Sequence, residues 1–119
     1  MSNIQKGKYG EELAAEFLIK SGYKIIDKNY KFSRYGEIDI IALEKDTLCF
    51  IEVKTRTNNN FGSGLEAVTK EKLMKITACI QKYIQDTKIK FKNYRIDVIS
   101  IELKNLKPEI TYIKNIGAD

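Results

Sequence analysis

Histidine is absent from this 119-residue chain, which removes the commonest general base and the commonest ligand for zinc. Any metal held here must be a hard cation bound through oxygen. Cysteine is scarce as well. Cys49 and Cys79 are too few and too isolated for a disulfide framework or a zinc ribbon, and they fall in apolar-patterned segments, so both are expected as buried thiols. No apolar stretch approaches the ~18 residues needed to span a bilayer, and the opening MSNIQKGKYG lacks the hydrophobic core of a signal peptide. The expectation is a cytoplasmic protein with no membrane partner. Proline occurs once, at Pro108, and is expected to mark a turn near the C-terminus.

What is present reads as an ordinary globular chain: 43% of residues are hydrophobic and 31% charged, enough for one domain over residues 1–119. The net charge of +5 favours an anionic partner, with nucleic acid the leading candidate.

Hydrophobic periodicity predicts the order α-β-β-β-α-β-β. Ile4 to Lys20 is helical, with Tyr9, Leu13 and Phe17 spaced by four, and Ser21-Gly22 stops it. Gly7, Gly10 and Ala14 share one side of that helix, which predicts a close approach to a sheet. Tyr23 to Phe32 reads as a first strand, and Gly36 to Leu43 with Leu48 to Arg56 as a hairpin turning over Glu44 to Thr47. The tract from Asn58 to Gly64 is a polar, permissive loop. A second helix is expected from Thr69 to Asp86, with Leu73, Ile76, Ile80, Tyr83 and Ile84 inward and lysines outward. Tyr94 to Leu103 and Ile110 to Ile116 complete the strands. A strand leading through a helix to another strand favours a parallel crossover, hence a mixed sheet flanked by helices.

The hairpin carries the chemistry. Its short turn places Asp39 opposite Glu52, and directly opposed residues have Cβ atoms ~4.5–5.5 Å apart on one face. Lys54, two residues beyond Glu52, shares that face. Two carboxylates so placed could share a divalent cation, and a neighbouring lysine could orient a water or stabilise charge on a phosphate. Those are the requirements of phosphodiester hydrolysis. Glu11, at the edge of the first helix's apolar stripe, is the helical acid best placed to join. Glu37 would oppose Lys54, as an outer ligand or as its ion-pair partner. The competing reading is plain: alternating charges on a hairpin are common, and cross-strand Lys–Glu pairs contribute only ~0.2–1 kcal/mol. Against that reading, Ile38, Ile40, Ile51 and Val53 imply one buried face while Ile41 and Phe50 partly cover the charged one, a setting in which charges usually have a partner or an ion.

Several blocks in order carry a resemblance: Gly7 to Glu11 (GKYGE), Asn29, Gly36 to Ala42 (GEIDIIA), Phe50 to Arg56 (FIEVKTR), Phe61-Gly62 with Ala67-Val68 and Lys72, and Arg95 to Ile99 (RIDVI). Together, over nearly the whole chain, they resemble the YraN family of uncharacterised bacterial proteins. That family looks like a branch of the restriction-endonuclease-like superfamily, similar in layout to archaeal Holliday-junction resolvases. The resemblance implies an α/β fold with an αβββαβ core and an extra C-terminal strand. It implies that Asp39, Glu52 and Lys54 match the Asp…Glu-x-Lys signature, and that Glu11 matches a helix-borne acid. One or two Mg²⁺ or Mn²⁺ ions held by Asp39, Glu52 and Glu11 would follow, with branched or otherwise irregular DNA as substrate and, by analogy, a homodimer. Lys31 stands where relatives often carry arginine, and the C-terminus lacks their usual Asn-Ala-Phe ending. Lys31, Arg34, Arg56, Lys70, Lys72 and Lys75 are the candidate nucleic-acid contacts, while Tyr30, Phe32, Tyr35 and Phe61 are candidate stacking platforms. Arg95 and Asp97 read as a structural ion pair.

Overall fold

The computed structural model describes residues 1–57, 68–104 and 107–116. Helix α1 spans Asn3–Lys20 and opens with a capping box, in which the Ser2 hydroxyl accepts the Gln5 N–H and the Gln5 side chain accepts the Ser2 N–H. Strand β1 (Lys24–Lys31) and a single 3-10 turn (Ser33–Tyr35) lead to β2 (Glu37–Glu44) and β3 (Thr47–Arg56). Helix α2 (Lys70–Asp86) starts at Thr69, whose hydroxyl accepts the Lys72 N–H at 3.1 Å. Strands β4 (Asn93–Lys104) and β5 (Lys107–Ile113) follow.

The five strands lie in the order β1-β2-β3-β4-β5, antiparallel except for the parallel β3–β4 pair joined through α2. This is the mixed sheet expected from the periodicity. The β2–β3 register is also the expected one, running from Ile40 opposite Ile51 to Glu44 opposite Thr47. The turn is tighter than expected, because both strands continue to Glu44 and Thr47 and leave Lys45, at φ 53, and Asp46 to reverse the chain.

The helices cover opposite faces. Ala14, Ala15 and Leu18 of α1 pack with Ile40, Ala42, Cys49, Ile51, Ile99 and Ile101. Ile76, Cys79, Ile80 and Tyr83 of α2 pack with Ile38, Ile41, Leu48, Phe50 and Ile96. Burial on both faces explains why β2 and β3 read as nearly continuous apolar runs. Each fully buried Ile, Leu or Phe contributes roughly 1.5–3 kcal/mol, so both layers are essential to the fold. Among the described residues, no helix is long and apolar enough to cross a membrane.

Three expectations need correction. Ile38 packs under α2 whereas Ile40 packs under α1, so they do not share a face, and Ile41 and Phe50 are fully covered by α2 rather than partly covering a charged face. Strict alternation fails at Asp39, beyond the last β2–β3 pair. Beside it, Asn29 of β1 takes a left-handed φ of 52 between the pairs Lys28–Ile40 and Tyr30–Ile38. Pro108 does not turn the chain but lies inside β5, opposite Leu103. An edge strand tolerates a residue with no N–H to donate. Of the glycines expected against the sheet, only Gly10 is there. A Cβ on it would lie 1.8 Å from the Thr55 hydroxyl oxygen, whereas one on Gly7 would meet nothing within 4 Å. The loop from Asn58 to Gly64 and Phe61 lie outside the described residues.

Arg95 and Asp97 form the expected ion pair, within a larger network. Asp97 is fully buried and accepts from Arg95 Nε at 3.0 and 3.1 Å, from the Asn115 N–H at 2.8 Å and from the Tyr112 hydroxyl. Arg95 also donates to the Tyr23 hydroxyl at 2.8 Å and to Glu44 at 3.1 Å. Every lone pair of a buried carboxylate that is bonded in this way offsets part of its desolvation cost. The network pins the residue before β1 to β2, β4, β5 and the chain after β5.

Candidate metal centre

The hydrogen-bonded β2–β3 ladder is in register up to Ile40 and Ile51, and the next position on β2 is Asp39. Instead of continuing the ladder, the Asp39 carboxylate accepts the Val53 N–H through Oδ2 at 2.8 Å. A side chain here replaces a backbone partner, which holds a carboxylate in the gap where two strands part. Asp39 is only 7% exposed.

Two further acids converge on it. Glu11 comes from α1, brought close by the Gly10–Thr55 approach, and Glu37 from the start of β2. One carboxylate oxygen from each of Glu11, Glu37 and Asp39 lies within 4.8 Å of the others. The Asn29 amide stitches the outer pair, donating to Glu11 Oε1 at 3.1 Å and to Glu37 Oε1 at 3.4 Å. Lys31 reaches Glu37 only at 4.0 Å. Burial first, then the negative charges of Glu52, Glu11 and Glu37, push the Asp39 carboxyl up to about 8 against the pull of the Val53 N–H. Three hard oxygen donors crowded this closely fit a divalent cation such as Mg²⁺ or Mn²⁺, whose charge would relieve the repulsion.

Glu52 stands outside that three-oxygen group. It is buried, and its Oε1 is shared by Lys54 Nζ at 3.3 Å and Lys72 Nζ at 3.2 Å. Of the expected ligands, Glu11 and Asp39 lie together with Glu37, the candidate outer ligand, while Glu52 rather than Glu37 pairs with Lys54. The reason lies in the strand. Glu52 keeps the alternation that sends Leu48 and Phe50 toward α2, where Lys72 waits, while β2 loses that alternation at Asp39. Burial, followed by the neighbouring Lys72, lowers the Lys54 ammonium below its ordinary range. Desolvation lowers Lys72 as well, but its contacts with Lys54 and Glu52 outweigh this and raise it. Asn29 and the Lys72–Glu52 contact were not legible from spacing. The one available signal for Glu37 was its position two residues before Asp39 on the same strand.

The family model described as "Uncharacterised protein family UPF0102" matches residues 10–101, a span that contains all these site residues. The chain belongs to the UPF0102 family. A UPF0102 protein from Sulfurihydrogenibium sp. (strain YO3AOP1) is 43% identical over 102 residues, covering 86% of this chain and 88% of that relative. One from Syntrophomonas wolfei is 41% identical over 113 residues, 95% of this chain and 97% of the relative, and one from Dictyoglomus thermophilum is 47% identical over 103 residues, 87% and 86%. The YraN resemblance drawn from the sequence blocks points to this same family.

Around the centre of this UPF0102 chain, the basic candidates separate by partner. Lys72 is committed to Glu52, and Lys75 reaches Glu71 one turn away at 3.6 Å. Lys70 is exposed at the start of α2, Arg56 ends β3 half-buried, and Lys31 is exposed at the end of β1. Arg34 lies 5.7 Å above the Tyr35 ring, which stacks on Phe32 at 5.3 Å. Tyr30 packs edge-on against Tyr83 at 5.1 Å and, like Phe32, lies half-buried against the α2 core. A cavity of about 340 Å³ opens beside the centre, lined by Tyr35, Glu37, Thr69, Lys72, Lys75 and Ile76 among others.

Proposed function

We propose that this protein is a metal-dependent nuclease-like domain, built on a restriction-endonuclease-like core, that binds DNA and hydrolyses its phosphodiester bonds. The observation that carries the reading is Asp39, a buried carboxylate set where two strands part, with Glu11 and Glu37 converging on it and Glu52-x-Lys54 on the adjoining strand. The element order and the parallel β3–β4 crossover agree with the αβββαβ core that the resemblance implies.

Glu11, Glu37 and Asp39 would hold Mg²⁺ or Mn²⁺, which supplies an acidified water and neutralises charge building on the phosphate. Asn29 keeps the Glu11 and Glu37 carboxylates turned toward Asp39. Lys54, only 22% exposed in its side chain, can orient the attacking water or stabilise the pentacovalent phosphate by its charge. Glu52 fixes Lys54 in place, and Lys31, Arg34 and Lys70 offer phosphate contacts at the rim. Cleaving both strands of a junction would take two such sites, so the proposal extends to a homodimer on branched DNA.

A specific observation favours a second reading, a nucleic-acid-binding module that cuts nothing: Glu52 is already neutralised by two lysines. Incubating linear, flapped and four-way DNA with Mn²⁺ separates the two. Cleavage by the wild type that falls at least about a hundredfold in Asp39→Asn and in Lys54→Ala supports hydrolysis. Binding without cleavage on every substrate supports the second reading, and activity equal in all three proteins is a contaminant's and sinks the first.

A further inference from the structure

Lys72 contacts Glu52 and lines the cavity that Glu37 also lines. Its Nζ lies 3.2 Å from Glu52 Oε1, the oxygen that Lys54 also contacts at 3.3 Å, and its stem lines the cavity of about 340 Å³ that Glu37 shares. Glu52 has a side chain only 9% exposed, so it needs compensating charge, but it has more than it needs: two ammonium groups on a single oxygen. The lysines crowd each other in return. An arrangement with two cations on one carboxylate is stable only while no stronger cation competes for that carboxylate, and it leaves one lysine the natural member to depart. Lys54 is the more buried, at 22% side-chain exposure against 35% for Lys72. Lys72 also has somewhere to go. It rises from the first turn of α2 beside a cavity lined by Tyr35, by Lys75 with its partner Glu71 at 3.6 Å, and by Glu37, whose charge a bound cation would neutralise.

We propose that Lys72 is an exchange residue: it holds Glu52 while the acidic centre is empty, and when a divalent cation held by Glu11, Glu37 and Asp39 also draws on Glu52, it swings into the cavity between Tyr35, Glu37 and the Glu71–Lys75 pair to take a substrate phosphate. The inference rests on the functional reading above and deepens it by coupling cation and phosphate binding through one side chain. Energy for the exchange comes from each ligand satisfying the group the other displaces. The cation replaces the ammonium at Glu52, and the phosphate replaces Glu52 at the ammonium. Occupancy of either site then favours the other by the same factor, as linkage requires. The residue acts through Glu52 and through phosphate rather than on the reacting atoms, so it is a positioning residue.

The test uses the full chain and two variants on α2, Lys72→Gln and Lys82→Gln. Lys82 is tied to Asp86 at 3.1 Å away from the centre and controls for the loss of one positive charge from the helix. Calorimetric titration with Mn²⁺ alone reads the competition, and fluorescence anisotropy on a labelled four-way junction with hydrolysis-resistant phosphorothioate linkages reads DNA affinity with and without Mn²⁺. In Lys72→Gln, Mn²⁺ alone should bind roughly fivefold tighter than in the wild type, and the gain in DNA affinity on adding Mn²⁺ should shrink by a similar factor. Lys82→Gln should match the wild type in both, and Lys72→Arg should restore part of the gain. An unchanged or weaker Mn²⁺ affinity in Lys72→Gln, or an undiminished gain, overturns the exchange while leaving the nuclease reading standing. Failure of the wild type to bind Mn²⁺ at all overturns both.

Discussion

The Asp39 carboxylate accepts the backbone N–H of Val53 at 2.8 Å, in the position where the β2–β3 ladder would have supplied a carbonyl. The bond has two separable components, an acceptor that β3 needs and a negative charge that the native fold tolerates poorly. Asp39→Asn keeps an acceptor oxygen and removes the charge. It should raise stability to urea by about 1 kcal/mol or more while abolishing calorimetric Mn²⁺ binding. Asp39→Ala removes the acceptor too and strands a buried N–H, a loss of about 1–3 kcal/mol relative to the asparagine variant. If both variants melt alike, the Val53 bond contributes nothing.

Stability should also fall as pH rises. The Asp39 carboxyl is held up to about 8, chiefly by burial, whereas in the unfolded chain it ionises in the ordinary range near pH 4. Between those values the native state keeps a proton that the unfolded state has released, so each pH unit costs up to about 1.4 kcal/mol of stability. The effect is absent below about pH 4 and complete above about pH 8. Urea melts at pH 5, 6, 7 and 8 should show the decline, Asp39→Asn should flatten it, and saturating Mg²⁺ should offset it at the alkaline end. A wild-type profile level across this window would mean that the carboxyl is not perturbed.

Gly10→Ala tests how α1 is seated. Its new Cβ would meet the Thr55 hydroxyl oxygen at 1.8 Å, so the helix or the strand must shift, at about 1–3 kcal/mol. Thr55→Ala in the same chain removes that oxygen and should recover most of the loss, a coupling that a double-mutant cycle in urea measures. Because Glu11 follows Gly10 directly, the single variant should weaken Mn²⁺ binding as well, and the double variant should restore it.

The Arg95–Asp97 network predicts the opposite pattern. Asp97→Ala leaves the Arg95 guanidinium half-buried without its main partner, which should cost about 3–5 kcal/mol. Mn²⁺ affinity, measured at a temperature where the variant is still folded, should not change. A shift in that affinity would link the network to the metal centre.

Much of this architecture was legible in the sequence because it rests on short-range patterns. The two apolar runs and their brief turn set the hairpin register, and a slip of one residue would have moved a strand's α1-facing side chains, such as Ile40 or Ile51, to the face covered by α2. The face of α2 followed from Ile76, Ile80 and Tyr83 in the same way. The details of the site were not legible, because they arise where those patterns stop. Asn29 adopts a left-handed backbone, β2 loses alternation at Asp39, and Glu37 rather than Glu52 joins the acidic group. Lys72 is paired with Glu52 across twenty residues of chain, a contact that depends on how α2 crosses the sheet. Pro108 misled for a related reason: it stops a central strand, but β5 is not central.

That placement of Pro108 bears on how two copies of the chain could meet. The sheet has two open margins, β1 and β5. On β5 a donor is missing at Pro108 and Lys107 charges the start of the strand, while β1 carries Lys24, Lys28 and Lys31 and an irregular register between Ile25 and Asp27. Charge, proline and bulges are the devices that keep exposed margins from templating another strand. These features of the described residues disfavour zipping two sheets into one along either margin. In the proposed pair on one junction, contact through helices or loops would leave each molecule free to turn without disturbing either sheet.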